Sequence, residues 1–213
     1  MGFDAYIFDL DGTLLDTLPD LVQLTNKVLQ EHGWPLRTSA EVLSFVGDGG
    51  LALLRRAAPP EASDEAVQQA FETWEQLYPA YGHRNTRPYP GMPELLETLK
   101  ARGAKLGVLS NKVDSAVGEV IPRHFPGIFD EARGECAAIP RKPDPAGLQA
   151  MLERFGTAPQ RAAYLGDSAG DMLTARRAGA FPIGVTWGYQ PRAALQEAGA
   201  ALLVDAPAQI LEV

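Results

Sequence analysis

The chain has 213 residues, enough for one large domain, or for one domain plus a modest insertion, with a core that needs no disulfides. Acids outnumber Lys plus Arg by 27 to 19, a net charge of −8, which argues against nucleic-acid and anionic-membrane partners. No apolar run approaches the roughly 20 residues of a membrane span, and Met1-Gly-Phe-Asp4 lacks the basic region of a secretory signal. The single cysteine, Cys136, admits no internal disulfide; it is expected as a small buried or half-buried residue in a protein of the reducing cytoplasm.

Ala5 to Phe8 is an apolar run of strand character, and it ends abruptly in Asp9-Leu10-Asp11-Gly12-Thr13. Gly12 can take a positive φ without steric cost, so the chain can turn away just after the second carboxylate. Leu18 to His32 then reads as an amphipathic helix, with Thr17 as N-cap, Pro19 and Asp20 in the first turn and Gly33 closing it. Thr38-Ser-Ala-Glu41 resembles a capping box and opens a helix to about Val46. Gly47-Asp48-Gly49-Gly50 interrupts, a helix resumes over Leu51–Ala58, and Pro59-Pro60 breaks the chain. Ser63 starts a longer helix through Tyr81, with Val67, Phe71, Trp74, Leu77 and Tyr78 on its apolar side.

From Pro90 the pattern alternates. Helices are predicted over 93–102, 114–123, 145–155, 171–178 and 191–197, with a short one at the C-terminus. Strands are predicted over 105–111, 129–133, 162–167, 182–187 and 201–204. The fold class is therefore α/β, a parallel sheet with helices on both faces. The opening strand has no partner in the helical stretch that follows it. The economical arrangement is a discontinuous core, 1–16 plus 88–213, with an all-helical domain, 17–87, inserted after the first strand and placed like a lid.

Four stretches carry candidate chemistry. Asp9 and Asp11 end the first strand, where open α/β sheets bind ligands, and two acids that close call for a cation. Ser110-Asn111 ends another strand and offers a hydroxyl and backbone N–H groups to an anion. Lys142 precedes Pro143, which biases its backbone away from helix and holds one ammonium in a defined position for phosphate. Gly166-Asp167-Ser168-Ala169-Gly170-Asp171 puts two carboxylates around a small-residue turn at a helix start. Turn and helix capping account for each stretch taken singly. Taken together they place acids for a hard divalent cation beside a hydroxyl and an ammonium for anionic oxygens, which is what phosphoryl transfer requires. His32, His83 and His124 form no metal-like cluster, and capping or surface roles suit them.

Those residues, in that order, resemble the haloacid dehalogenase superfamily of phosphohydrolases: Asp9-Leu10-Asp11-Gly12-Thr13, Ser110, Lys142, and Gly166-Asp167 with Asp171. The resemblance implies a Rossmann-like core with a helical cap, and a Mg²⁺-dependent phosphatase acting on a small phosphorylated metabolite. It implies Asp9 as nucleophile and Asp11 as general acid and base. Mg²⁺ would be held by the carboxylates of Asp9 and Asp167 and the backbone carbonyl of Asp11, with Asp171 close by. Ser110 and Lys142 would bind phosphoryl oxygens, with Thr13 and Asn111 as further candidates. Phe45-Val-Gly47-Asp48-Gly49-Gly50-Leu51 with Arg55 resembles the cap segment of phosphoglycolate phosphatases, and makes Gly47, Gly49 and Arg55 candidates for substrate binding; a plain helix break explains the glycines equally well. Pyrophosphatase and sugar-phosphate mutase activities remain open on the same scaffold, as does a non-catalytic phosphate-binding module, in a monomer or homodimer.

Overall fold

The computed structural model describes residues 2–213; Met1, at the start of the N-terminal stretch read above, lies outside them. The chain divides into two compact units, Met1–Asp16 with Pro88–Val213, and Thr17–Arg87. The chain leaves the first unit after β1 (Ala5–Phe8) and β2 (Leu15–Asp16), and returns through β3 (Arg87–Pro88).

In the helical unit α1 (Leu18–Glu31), α2 (Ser39–Phe45), α3 (Gly49–Ala57) and α4 (Asp64–Tyr81) bury Leu24, Val28, Leu29, Val42, Leu54, Val67, Ala70 and Trp74. The capping box at Thr38 and Glu41 is formed in both directions. Thr17 occupies the N-cap of α1 as expected, but its side chain makes no capping hydrogen bond. Asp20 in the next turn is almost wholly buried and receives the backbone N–H and side-chain donors of Asn85 and Thr86, which ties the two ends of the unit together.

The other unit holds a six-stranded sheet in the order β5-β4-β1-β6-β7-β8, from β4 (Lys105–Val113), β5 (Glu131–Glu135), β6 (Ala162–Gly166), β7 (Phe181–Val185) and β8 (Leu202–Val204) with β1. The recorded pairings are all parallel. Residues of β1 alternate between two cores. Tyr6 and Phe8 face Leu95, Leu96 and Leu99 of α5 (Met92–Ala101) and Val117 and Val120 of α6 (Asp114–His124). Ala5 and Ile7 face Leu148, Met151 and Leu152 of α7 (Ala146–Phe155) and Ala175 and Ala178 of α8 (Ala169–Ala178). Burial on both faces is why the central strands read as unbroken apolar runs. Helix α9 (Arg192–Glu197) precedes β8. Among the described residues no helix is long and apolar enough to cross a membrane.

Three expectations shift. Strand β5 starts at Glu131 rather than Phe129, because Phe129 is apolar for another reason: it packs edge-on against Phe8 and Phe125. As an edge strand β5 can carry charge, and Glu131 pairs with Arg133 and Arg154. The terminal helix is of 3₁₀ type, Pro207–Glu212. Cys136, expected buried or half-buried, is exposed; it follows β5 on a loop, where no core reaches it.

Candidate active site

Strand order builds the site. From β1 the chain adds β4 and β5 on one side, then crosses back to add β6, β7 and β8 on the other, so the strand order reverses at β1. The crevice outside the carboxyl ends of strands at such a point is where ligands bind in open α/β sheets. Phe8 pairs in register with Val108 on one side and with Leu165 on the other. Asp9 follows Phe8, Ser110 stands two residues beyond Val108, and Asp167 two beyond Leu165. Three separate parts of the sequence thus deliver polar side chains to one sheet edge.

Asp9, Asp167 and Asp171 are buried, and each offers a carboxylate oxygen within 4.8 Å of the others. Lys142 lies among them, itself buried. Its ammonium donates to Asp9 Oδ1 at 2.7 Å, to Asp171 Oδ1 at 2.6 Å and to the Tyr164 hydroxyl at 3.0 Å, which uses all three of its protons. Tyr164 in turn donates to the Leu109 carbonyl at 2.7 Å. The other oxygen of Asp171 accepts from the backbone N–H of Ser168 at 3.0 Å and its hydroxyl at 2.6 Å, so both its oxygens are engaged. Asp167 accepts from the Thr13 hydroxyl at 3.0 Å and the Tyr189 N–H at 2.7 Å. Asp9 Oδ2 accepts no protein hydrogen bond among the described residues.

Two glycines permit this density. Gly12 has φ +84°, and a Cβ there would run into the Asp167 carboxylate. A Cβ at Gly188 would collide with Asp167 and the Gly12 carbonyl. Close approach of the 187–190 loop is what carries the Tyr189 N–H to Asp167, and the Trp187 indole N–H holds that loop to the Thr13 carbonyl at 3.1 Å.

Two of the three carboxylates, Asp9 and Asp171, share one ammonium, and Asp167 has only neutral donors among the described residues. Burial is the main cause that pushes Asp9 up to about 7; Lys142 opposes it and the neighbouring Asp171 adds to it. Asp167 is raised well above the carboxylate range by burial and then by Asp9 and Asp171. Burial alone would draw the Lys142 ammonium down, but Asp171 and Asp9 overcome it and hold the group firmly protonated. Surplus negative charge on buried oxygens fits a hard divalent cation.

The remaining predicted residues take up distinct positions. Thr13 donates its hydroxyl proton to Asp167. Asn111 grips the backbone of Lys142 from both sides, accepting from its N–H at 2.7 Å and donating to its carbonyl at 3.2 Å. The peptide bond from Lys142 to Pro143 is cis. Ser110 is buried within β4, three residues before its last, and accepts from the Lys112 N–H at 3.2 Å. The Asp11 carboxylate is paired with the Lys112 ammonium and stands outside the group of three acids. Gly47, Gly49 and Arg55 belong to the helical unit. Gly47 (φ +126°) and Gly49 (φ +81°) make the turn into α3, and the exposed Arg55 is engaged by Asp64 and the Ala62 carbonyl.

Sequence reasoning passed over Lys112, Tyr164 and the 187–190 loop as parts of the site. Tyr164 carried a signal: a hydroxyl inside an otherwise apolar strand next to Gly166-Asp167 must find a polar partner. Lys112, two residues after Ser110, was the nearest cation to that motif. Nothing local marked the Tyr189 N–H, because it is backbone.

Comparison with known proteins agrees with this geometry. The family model for haloacid dehalogenase-like hydrolases matches residues 6–185. The phosphoglycolate phosphatase of Vibrio vulnificus is 33% identical over 213 residues, covering 97% of this chain and 93% of its own. A solved structure from Lactobacillus delbrueckii subsp. bulgaricus superposes with a TM-score of 0.93 at 31% identity, covering 100% of this chain and 98% of its own. A predicted phosphoglycolate phosphatase from Haemophilus somnus gives a TM-score of 0.92 at 29% identity, over 99% of this chain and 97% of its own. Match to the family over most of the chain, with likeness to phosphoglycolate phosphatases in both sequence and fold, makes this protein a member of the haloacid dehalogenase-like hydrolases.

Proposed function

We propose that the protein is a phosphomonoesterase that hydrolyses a small phosphate ester, 2-phosphoglycolate first among them, through an aspartyl-phosphate on Asp9. The observation that carries the reading is the state of Asp9. One oxygen is held by a buried ammonium at 2.7 Å and the other takes no protein hydrogen bond among the described residues, on the same side of the sheet as Asp167 and Ser110.

Asp9 Oδ2 attacks phosphorus and the bond from phosphorus to the ester oxygen breaks. Asp11 gives a proton to that departing oxygen. Water then attacks the phosphorus of the aspartyl-phosphate, Asp11 takes its proton, and orthophosphate leaves as the Asp9 carboxylate is restored. Ser110 binds a phosphoryl oxygen; Lys142 keeps Asp9 oriented and donates to a second phosphoryl oxygen on letting go of one of its three present partners. The carboxylates of Asp9 and Asp167 and the Asp11 carbonyl would hold a Mg²⁺ ion, with Asp171 bracing Lys142 nearby; when bound, the ion would supply charge neutralisation to the phosphoryl group. Residues 1–16 and 88–213 serve as the catalytic core and 17–87 as the cap that selects the ester. The homology to phosphoglycolate phosphatases supports that choice of substrate.

Phosphate release from 2-phosphoglycolate, pyrophosphate and hexose phosphates, with Mg²⁺ and with EDTA, tests the reading. Asp9→Asn is expected to lower turnover by about 10⁴-fold or more while the variant stays folded. Full activity in that variant removes the mechanism, and a preference for pyrophosphate or conversion of a hexose 1-phosphate to its 6-phosphate replaces the substrate.

A further inference from the structure

We infer that Lys112 receives a second anionic group on the substrate, and that taking this group releases Asp11 for proton transfer. The inference rests on the phosphomonoesterase reading and extends it to a substrate class: phosphate esters carrying a carboxylate or a second phosphate on a short tail.

In this structure the Lys112 ammonium bridges both oxygens of Asp11, at 3.0 and 3.2 Å. The two side chains are only 9% and 17% exposed, so water screens the pair poorly. A carboxyl that must hand a proton to a departing ester oxygen needs one oxygen turned to that atom. With both facing Lys112, the pair has to open first. Opening it unaided separates two largely buried opposite charges, which is costly.

A substrate that supplies an anion to Lys112 removes that cost, because one ion pair is exchanged for another. A substrate with an uncharged tail leaves the exchange incomplete and Asp11 held. Placement favours the exchange. The Lys112 N–H donates to the Ser110 hydroxyl, so the ammonium springs from backbone that flanks the proposed phosphoryl-oxygen ligand. A group a few atoms from phosphorus is within reach of a lysine side chain. Lys142 contrasts with it: its ammonium is fixed by Asp9, Asp171 and Tyr164, all of them core residues.

The test compares kcat/KM for 2-phosphoglycolate, a short-chain bisphosphate and ethyl phosphate in the native protein, Lys112→Met and Lys112→Arg. We expect Lys112→Met to lower the ratio of phosphoglycolate to ethyl phosphate by about 10- to 100-fold, and Lys112→Arg to keep most of it. A parallel loss for the bisphosphate assigns the site to anions in general, and its absence to carboxylates. An unchanged ratio in Lys112→Met overturns the inference, as does an equal loss on both esters, which is what a purely structural lysine gives. Should Lys112→Met not fold, Lys112→Gln takes its place and is judged by the same ratio. No release from any ester by the native protein overturns the phosphatase reading itself, and this inference with it.

Discussion

The chain buries acids in two regions and satisfies them very differently. In the helical unit Asp20 is surrounded by donors: the Asn85 N–H at 3.0 and 2.9 Å, the Asn85 side-chain amide at 2.9 Å, the Thr86 N–H at 2.6 Å and the Thr86 hydroxyl at 2.7 Å. In the sheet unit Asp9, Asp167 and Asp171 crowd together, one ammonium pairs with Asp9 and Asp171, and among the described residues no protein donor meets the second oxygen of Asp9. A buried carboxylate with its full set of donors is a structural clamp. Carboxylates packed together with too little positive charge form a site that waits for a ligand; burial first, and then the neighbouring carboxylates, raise Asp9 and Asp167.

The comparison predicts four results. Removing the ammonium from the crowded site should do most damage. Lys142→Met leaves Asp9 and Asp171 without their counter-charge, and we expect a loss of about 3–5 kcal/mol, read as a melting temperature about 10 °C lower in EDTA. Asp20→Ala strands the donors of Asn85 and Thr86 and should cost about 2–3 kcal/mol. That loss should fall on the helical unit, as faster amide exchange within residues 17–87 rather than in the sheet.

The third result concerns pH. Asp9 is raised from 3.8 to about 7 in the folded chain, so between those values the native state binds more protons than the unfolded chain. Stability of the metal-free protein should therefore fall as pH rises from about 4 to 7, with Asp167 adding in the same direction. A divalent cation should reverse the trend by about 2.7 kcal/mol at a hundred times its Kd, more at pH 8 than at pH 5, as melting curves with and without Mg²⁺ will report. The smallest effect belongs to Thr13→Val, which removes one donor from Asp167. It should weaken cation binding about tenfold in calorimetric titration while changing stability by about 1 kcal/mol.

Much of the site was legible in the residues because its chemistry is local to strand ends. Asp9, Ser110, Lys142 and Asp167 each follow an apolar run or precede a helix, and an acid, hydroxyl or ammonium there has few structural uses. The partners were harder to read. Asp171 looked like a metal-site acid or a helix cap; in the structure it closes the capping box of α8 with Ser168, turns its other oxygen to Lys142 and stands within the group of three acids. Asn111 was read as an amide near the phosphate; that it also holds the Lys142 backbone, 31 residues on, had no local sign. Asp20 showed only as an acid in a first helical turn, since its partners lie 65 and 66 residues further on.

Alternation of apolar runs with amphipathic helices was enough to specify a parallel α/β sheet, because the period of burial is written in each segment. The four motifs were enough to specify the family, because each sets residue type and strand-end position together. Only the tertiary structure decided that β5 starts at Glu131, that Tyr164 completes the shell of Lys142, and that Lys112 claims Asp11. Those outcomes depend on which side chains meet across strands and loops far apart in the chain, and no local pattern encodes a partner's distance or the charge it brings.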